Sequence, residues 1–160
     1  MIFSHGRHAK RVSHLQAIIL ILLATFALAF SLFTPSASAR SFSFNQLAAM
    51  TAQKYIGAPY TWGGTGPGYD CSGLAMRVYG RFGKNLDHYA EWDYTHGKII
   101  PKSRAWGGDL VVFLSGNYAY HVGIYEGGNA MVSALNPYYG VRQTPLSWGG
   151  SDYVFVTFSH

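Results

Sequence analysis

The stretch GAPYTWGGTGPGYDCSGLAMRVYGRFG, residues 57–83, joins a glycine-rich loop to the start of a helix. The glycines and prolines before Asp70 exclude regular secondary structure, so this part is a loop. Asp70 is a suitable helix N-cap, and apolar residues then recur at helical spacing as far as Phe82. The sequence therefore predicts a helix over residues 71–82 that carries Cys71 in its first turn.

Cys71 is the single cysteine of the chain, so it cannot form an intramolecular disulfide. At a helix N-terminus the free backbone N–H groups and the helix dipole lower a thiol pKa, and the thiolate is the form that attacks carbonyls. The same N–H groups could stabilise an oxyanion on a substrate. These features predict a nucleophile, and an inert, half-buried cysteine remains the alternative.

His121 begins the segment HVGIY, residues 121–125, which has the pattern of a buried strand. Alternation along a strand places His121 and Gly123 on one face and Val122 and Ile124 on the other. A histidine at the start of a strand, beside a glycine that leaves open space, is well placed to serve a thiolate across a groove. Taken by itself, such a histidine is more often a surface residue or a satisfied polar group of the core.

Helical patterns precede strand patterns along the chain, an order typical of an α+β domain with an antiparallel sheet. A first helix is predicted over residues 44–55 with Ser43 as its N-cap, and residues 86–97 are expected to form a loop and a short helix. Apolar runs separated by turn residues predict five strands, at residues 109–114, 121–126, 130–135, 141–144 and 153–158. We therefore expect N-terminal helices packed on a five-to-six-stranded antiparallel sheet.

Residues 1–39 have the three parts of a secretory signal peptide. A basic head without acidic residues precedes an apolar run over residues 17–33, and Ala37-Ser38-Ala39 supplies the small residues that signal peptidase recognises. We expect cleavage after Ala39, with residues 40–160 forming one secreted domain, in the cell wall or periplasm, that makes no stable membrane contact. A retained anchor is the alternative, although the apolar run is only about the minimum that spans a bilayer.

The charge balance and the polar residues restrict the classes of partner. Of twelve Lys and Arg, three lie in the leader, which leaves nine against seven acidic residues. This mildly basic balance suits anionic wall polymers and argues against nucleic acid. We expect a monomer without a cofactor, and without a metal because four candidate ligands follow no common ligand spacing: His88, Glu91, Asp93 and His96.

Four motifs occur in an order that resembles the NlpC-type cell-wall cysteine peptidases. They are GAPYTWGG at residues 57–64, DCSGL at 70–74, GDLVVF at 108–113 and HVGIY at 121–125. The second motif is weak by itself, but the ordered set covers nearly the whole predicted mature chain. The resemblance implies a papain-like core that hydrolyses peptidoglycan stem peptides, typically between γ-D-glutamate and the following diamino acid.

The resemblance also implies roles for single residues. By position, Cys71 matches the nucleophile and His121 the general base. Tyr60 matches a tyrosine beside the site that donates a hydrogen bond near the reacting carbonyl. Asp70 and Ser72 match residues that in some relatives hold the amino end of the substrate. Purely structural roles stay open for Asp70 as a helix cap and for Tyr60 as a packing residue.

The third catalytic position departs from the family pattern. Relatives usually have a histidine or another strongly polar residue twelve positions after the base, where this chain has Ser133. Its task is to accept the imidazole N–H and so fix the tautomer and orientation of the ring. A hairpin turning at residues 127–129 brings His121 opposite a residue between Ser133 and Asn136, so Asn136 is a second candidate.

Three functions remain open on these grounds. The first is a peptidoglycan endopeptidase that works through a thioester, with Trp62 among the residues that contact the substrate. The second, motivated by Ser133, is a wall-binding module of the same fold with weakened chemistry. The third is an N-acetylmuramoyl-L-alanine amidase of the related CHAP type.

Overall fold

The computed structural model describes residues 42–159, together with residues 14, 16, 18 and 19. The chain divides into two units, residues 1–40 and 41–160, and only the second is considered below. The predicted signal peptide lies outside the described residues except for residues 14, 16, 18 and 19, which are helical. Within the part of the chain that the structure describes, no helix is long and apolar enough to cross a membrane.

Residues 42–159 contain three α-helices: α1 (Phe44–Gln53), α2 (Cys71–Gly80) and α3 (Ala90–His96). The first begins with a capping box, in which the Ser43 hydroxyl accepts the N–H of Gln46 and the Gln46 side chain accepts the N–H of Ser43. The second begins at the predicted N-cap, Asp70, which accepts the N–H of Gly73 at 2.7 Å. Both helices end two residues before their predicted C-terminal ends.

One antiparallel sheet of six strands forms the second layer, in the order β1-β6-β2-β3-β4-β5. Its strands are β1 (Lys98–Ile100), β2 (Leu110–Ser115), β3 (Tyr118–Gly127), β4 (Ala130–Ala134), β5 (Val141–Pro145) and β6 (Tyr153–Thr157). The predicted α+β architecture is confirmed. The three-residue edge strand β1 escaped the sequence analysis because it is too short to show a periodicity.

The sheet is buried on both faces, and this fixes the direction of each side chain in β3. Val122 and Ile124 pack with Leu74 and Val78 of α2 in the cluster between helices and sheet. Tyr125 packs with Met131 in a second cluster on the opposite face. Burying each such large apolar side chain stabilises the fold by about 1.5–3 kcal/mol. The helix that carries Cys71 is thereby held against the strand that carries His121.

The motif GDLVVF has a structural role where β2 begins. The buried Asp109 carboxylate accepts a 2.7 Å hydrogen bond from the Asn45 side chain of α1 and a 2.8 Å bond from the N–H of Trp106. Gly108 has a φ of +103°, and a Cβ there would lie 1.9 Å from the Asn45 carbonyl oxygen. Only glycine therefore allows α1 to approach this strand so closely.

Candidate active site

Cys71 lies in the first turn of α2 and is partly buried against the core. Burial raises the pKa of its thiol and the negative charge of Asp70 adds to the rise, while hydrogen bonds from the backbone N–H groups of Val122, Ser72 and Cys71 lower it. The backbone N–H groups thus lower the pKa as predicted, yet the net pKa is raised. Burial outweighs the local dipoles here, and the resting group is the thiol.

His121 is buried in β3, with 9% of its surface exposed. Burial lowers the pKa of its imidazole to about 4, so the ring is neutral at neutral pH. A neutral imidazole can accept a proton, as a general base must. One ring nitrogen, Nε2, lies 3.2 Å from the hydroxyl oxygen of Ser133. The other nitrogen, Nδ1, has no hydrogen-bond partner within the described residues and can accept a proton.

Of the two candidates for the third position, Ser133 is the one that contacts the imidazole. It lies in β4 and is completely buried. The side-chain oxygen of Asn136 instead accepts the backbone N–H groups of Tyr138 and Tyr139, both at 3.0 Å, in the turn after β4. The structure thus gives His121 an uncharged hydroxyl as its neighbour.

Gly123 leaves the space in which Ser133 meets the imidazole. A Cβ at this glycine would lie 2.8 Å from the sulfur of Met131 and 3.3 Å from the Cβ of Ser133. Both neighbours project from β4 on the same face of the sheet. Any side chain at residue 123 would therefore displace Ser133 or Met131, so side chains of β4 fill the space that was predicted to be open beside the histidine.

Cys71 lies between two cavities that share Trp62, Cys71 and Tyr120. The histidine-side cavity, of about 350 Å³, is lined by Tyr60, Trp62, Cys71, Tyr120, His121, Ala134, Leu135, Asn136, Tyr139, Trp148 and Gly149. The aspartate-side cavity, of about 280 Å³, is lined by Trp62, Gly63, Asp70, Cys71, Ser72, His88, Tyr89, Ala90, Tyr118, Ala119 and Tyr120. Cys71 and His121 thus both line the histidine-side cavity, and Cys71 also lines the aspartate-side cavity.

A larger cavity of about 640 Å³ lies between α1 and the loop at Trp106. It is lined by none of the predicted site residues. Its walls are mainly the side chains of α1 together with Trp106, Gly107 and Glu126. The candidate site is therefore not the larger cavity. It is identified by a thiol and an imidazole that line one cavity.

Asp70 is engaged within the protein. Its Oδ1 accepts the N–H of Gly73 at 2.7 Å and the hydroxyl of Ser72 at 3.3 Å, and lies 2.7 Å from Nε2 of His88. Its Oδ2 accepts the N–H of Gly63 at 2.8 Å. These four partners match the roughly four acceptor sites of a carboxylate. Asp70 joins the loop, α2 and His88, and its role toward a substrate stays a prediction.

Tyr60 and Trp62 lie beside the sulfur as predicted. Burial, together with the negative charges of Cys71 and Asp70, raises the pKa of the Tyr60 hydroxyl, which therefore keeps its proton and can donate a hydrogen bond. Trp62 is 86% exposed at the rim that both cavities share. These placements fit the predicted contacts with a substrate.

The two histidines weighed as metal ligands contact other side chains. His88 pairs with Asp70, and His96 stacks on Trp92 with ring centroids 4.5 Å apart. Within the described residues, no three His, Cys, Asp or Glu side chains converge as a metal site would require. The pairing of His88 with Asp70 escaped the sequence analysis because the histidine follows an irregular segment that shows no periodicity.

Comparisons with known proteins point to one family. Residues 57–159 match the model of the NlpC/P60 family. A probable endopeptidase of Corynebacterium glutamicum is 39% identical over 113 residues, which are 70% of this chain and 51% of that protein. The peptidoglycan endopeptidase RipA of Mycolicibacterium smegmatis is 37% identical over 111 residues, which are 59% of this chain and 22% of that protein. The chain thus spans about half, or less, of the length of these curated relatives.

A solved structure agrees in fold as well as in sequence. The NlpC/p60 domain of the peptidoglycan hydrolase SagA aligns with a TM-score of 0.64 at 33% identity. The alignment covers 71% of this chain and 98% of that one. The helices and the sheet described above therefore have the arrangement of an NlpC/P60 domain.

Proposed function

Because the chain belongs to the NlpC/P60 family, we propose that it is a cysteine endopeptidase that cleaves peptidoglycan stem peptides. One observation carries the proposal. Cys71 and the neutral imidazole of His121 line one cavity, and Ser133 contacts Nε2 of that imidazole. A nucleophile, a base and an orienting group are the parts that acyl transfer through a thioester needs.

The proposed reaction begins with a protonated thiol and a neutral imidazole. His121 accepts the thiol proton as the sulfur of Cys71 attacks the carbonyl carbon of the scissile bond. The oxyanion that forms takes over the backbone N–H groups of Cys71 and Ser72, which bond the sulfur at rest, and accepts a hydrogen bond from the hydroxyl of Tyr60. His121 then gives its proton to the leaving amine, and the acyl part remains on the sulfur as a thioester. Water, deprotonated by His121, hydrolyses the thioester and restores the thiol.

This reaction determines which part of the substrate lies in each of the two cavities. The leaving amine must receive its proton from the imidazole, and His121 lines only one of the two cavities beside Cys71. The leaving residue therefore lies in the histidine-side cavity, and the acyl part lies in the aspartate-side cavity. For the bond between γ-D-glutamate and a diamino acid, the diamino acid occupies the histidine side.

The proposal includes export. Residues 1–39 act as a signal peptide that is removed after Ala39, so that the enzyme works on the wall outside the cytoplasm. Production of the full chain in a bacterial host, followed by N-terminal sequencing of the secreted form, tests this part. A form that stays with the membrane and keeps residues 1–39 would contradict it.

Digestion of purified peptidoglycan tests the activity. The chain, with and without residues 1–39, is incubated with walls that contain either a lysine or a diaminopimelate diamino acid, and mass spectrometry identifies the new ends. We expect ends between γ-D-glutamate and the diamino acid, and none with Cys71→Ala. Release of muramoyl–alanine products would indicate an amidase, and binding to walls without any release would indicate a wall-binding module.

A further inference from the structure

Arg142 lies on the face of the sheet that carries the candidate site. Its Cα pairs with that of Ser133 in the register between β4 and β5. Residues directly opposite in an antiparallel pair project from the same face, and Ser133 projects toward the imidazole of His121. Neighbouring strands are about 4.8 Å apart, so Arg142 begins roughly 10 Å from β3.

The guanidinium of Arg142 stacks on Tyr139, a residue that lines the histidine-side cavity. Its central carbon is 5.0 Å from the centroid of the Tyr139 ring, an arrangement that favours a cation over an aromatic face. Tyr139 lines this cavity and packs on Trp148, with ring centroids 5.3 Å apart. The stacking fixes the direction of a side chain that is otherwise long and mobile.

No acidic side chain among the described residues neutralises Arg142. The ion pair found among the described residues joins His88 and Asp70, and these two residues line the aspartate-side cavity. The side chains that line the histidine-side cavity include no Asp, Glu, Lys or Arg. Arg142 thus stacks on a residue of this wall without an ion-pair partner in the described part of the chain, and its N–H donors are available to a ligand.

We propose that Arg142 is a specificity residue that binds a carboxylate on the side chain of the leaving diamino acid. The inference rests on the proposed function, which puts the leaving residue in the histidine-side cavity. An ionised carboxylate in this cavity would lack a cationic partner unless it reached the guanidinium stacked on Tyr139. The planar fork of arginine matches a carboxylate with two parallel hydrogen bonds. An amide or an ammonium group at the same place offers no such match.

Three peptides test the inference, all with L-alanine and γ-D-glutamate followed by a variable diamino acid whose α-carboxyl is blocked as an amide. The variable residue is meso-diaminopimelate, its side-chain amide, or L-lysine. For the wild type we expect a KM about tenfold lower for the free carboxylate, in line with a charge-assisted hydrogen bond at a partly exposed site. Arg142→Gln should remove this preference with little change in kcat, and Arg142→Lys should restore part of it.

Arg77→Gln is the matched control, because Arg77 is an exposed arginine of α2 that lines a separate cavity. It should keep the preference of the wild type. Titration of the three peptides into the Cys71→Ala variant, with and without Arg142→Gln, reads the same preference as binding when no bond is cut.

The inference is overturned if the wild type shows equal KM for the three peptides, or if Arg142→Gln keeps the preference in both assays. Failure of the proposed function looks different. In that case no peptide is hydrolysed in a way that depends on Cys71, while a carboxylate preference in binding to the Cys71→Ala variant would still support a role for Arg142.

Discussion

The imidazole Nε2 of His121 lies 3.2 Å from the hydroxyl of Ser133, so the buried base has an uncharged partner. A carboxylate at this position would stabilise an imidazolium by charge, whereas a hydroxyl can only accept the N–H and orient the ring. The same burial lowers the pKa of His121 to about 4. Both features favour a resting site made of a thiol and a neutral imidazole, with charge separation only during the reaction.

Replacing Ser133 by alanine tests how much this contact contributes. Alanine fits the buried site without adding volume, so we expect a folded protein whose kcat/KM is reduced by about three- to tenfold, the range of one neutral hydrogen bond. Hydrolysis of a stem peptide measures the effect. Asn136→Ala is the control, since Asn136 bonds backbone N–H groups of its own turn. A larger loss in Asn136→Ala than in Ser133→Ala would contradict this assignment.

The activity should persist at lower pH than an ordinary histidine would allow. Burial lowers the pKa of His121 to about 4, so protonation removes the base only near that pH. The pH dependence of kcat/KM on a neutral peptide measures this acidic limb. A limb near the ordinary histidine pKa of about 6.5 would show that the imidazole is better solvated than the structure indicates.

The same shift affects the stability of the fold. Because the folded-state pKa of His121 is lowered, the unfolded chain binds the proton more readily between the ordinary histidine pKa and about pH 4. The free energy of unfolding should therefore fall as the pH decreases through this window, and His121→Gln should lessen the fall. Urea denaturation at a series of pH values gives both quantities.

Alkylation of Cys71 tests the protonation state of the nucleophile. Burial raises the pKa of this thiol, so the rate of reaction with iodoacetamide should keep rising up to and beyond the pKa of an ordinary free thiol, about 8.5. The single cysteine makes the labelled site unambiguous by mass spectrometry. A rate that reaches its plateau below pH 7 would indicate a stable thiolate–imidazolium pair instead.

The sequence predicts most of the fold because each element carries its own local signal. Ser43 and Asp70 have the chemistry of helix caps, and both caps are present. Strand β1 has three residues, and its pairing with β6 depends on distant parts of the chain. A local sequence pattern contains no information about pairing between segments that are far apart in the chain.

The motifs predict that Cys71 and His121 lie near each other, and both line one cavity, but the electrostatics of that place could not be predicted from the sequence. The motifs identify Cys71 and His121, whereas the direction of the thiol pKa depends on burial, which follows from tertiary packing. The choice between Ser133 and Asn136 depends on register, and a bulge between Tyr125 and Gly127 sets that register in the hairpin. A bulge changes which residues face each other without a clear sequence signal.

The buried Asp93 leads to a prediction about how the stability of the fold depends on pH. This residue of α3 is fully buried, and neither carboxyl oxygen has a hydrogen-bond partner within the described structure. Burial, with a smaller contribution from Asp87, raises its pKa to about 8. The folded state therefore holds a proton that the unfolded state releases above its ordinary pKa, and stability should decrease as the pH rises from about 4 to about 8. Asp93→Asn should abolish this decrease, as measured by thermal unfolding, while Asp152→Asn on the surface should not.

The bonds of Asp70 lead to a prediction about substrate recognition. If this carboxylate held the amino end of a substrate, replacement by asparagine would raise the KM of peptides with a free amine and leave those with an acetylated amine unchanged. Three of its four partners inside the protein share Oδ1 and one bonds Oδ2, so such a contact would have to compete with them for the carboxylate.

We therefore expect Asp70→Asn to change the KM of free and acetylated peptides by the same factor. Asparagine is as good an N-cap as aspartate, so the fold should persist, whereas Asp70→Ala should cost about 1–2 kcal/mol of stability through the lost cap. His88→Gln serves as the second arm, because it vacates one position on Oδ1. A KM that falls for the free amine alone in His88→Gln would show that the histidine competes with the amino end of the substrate for this carboxylate, and a selective rise in Asp70→Asn would assign Asp70 to substrate binding.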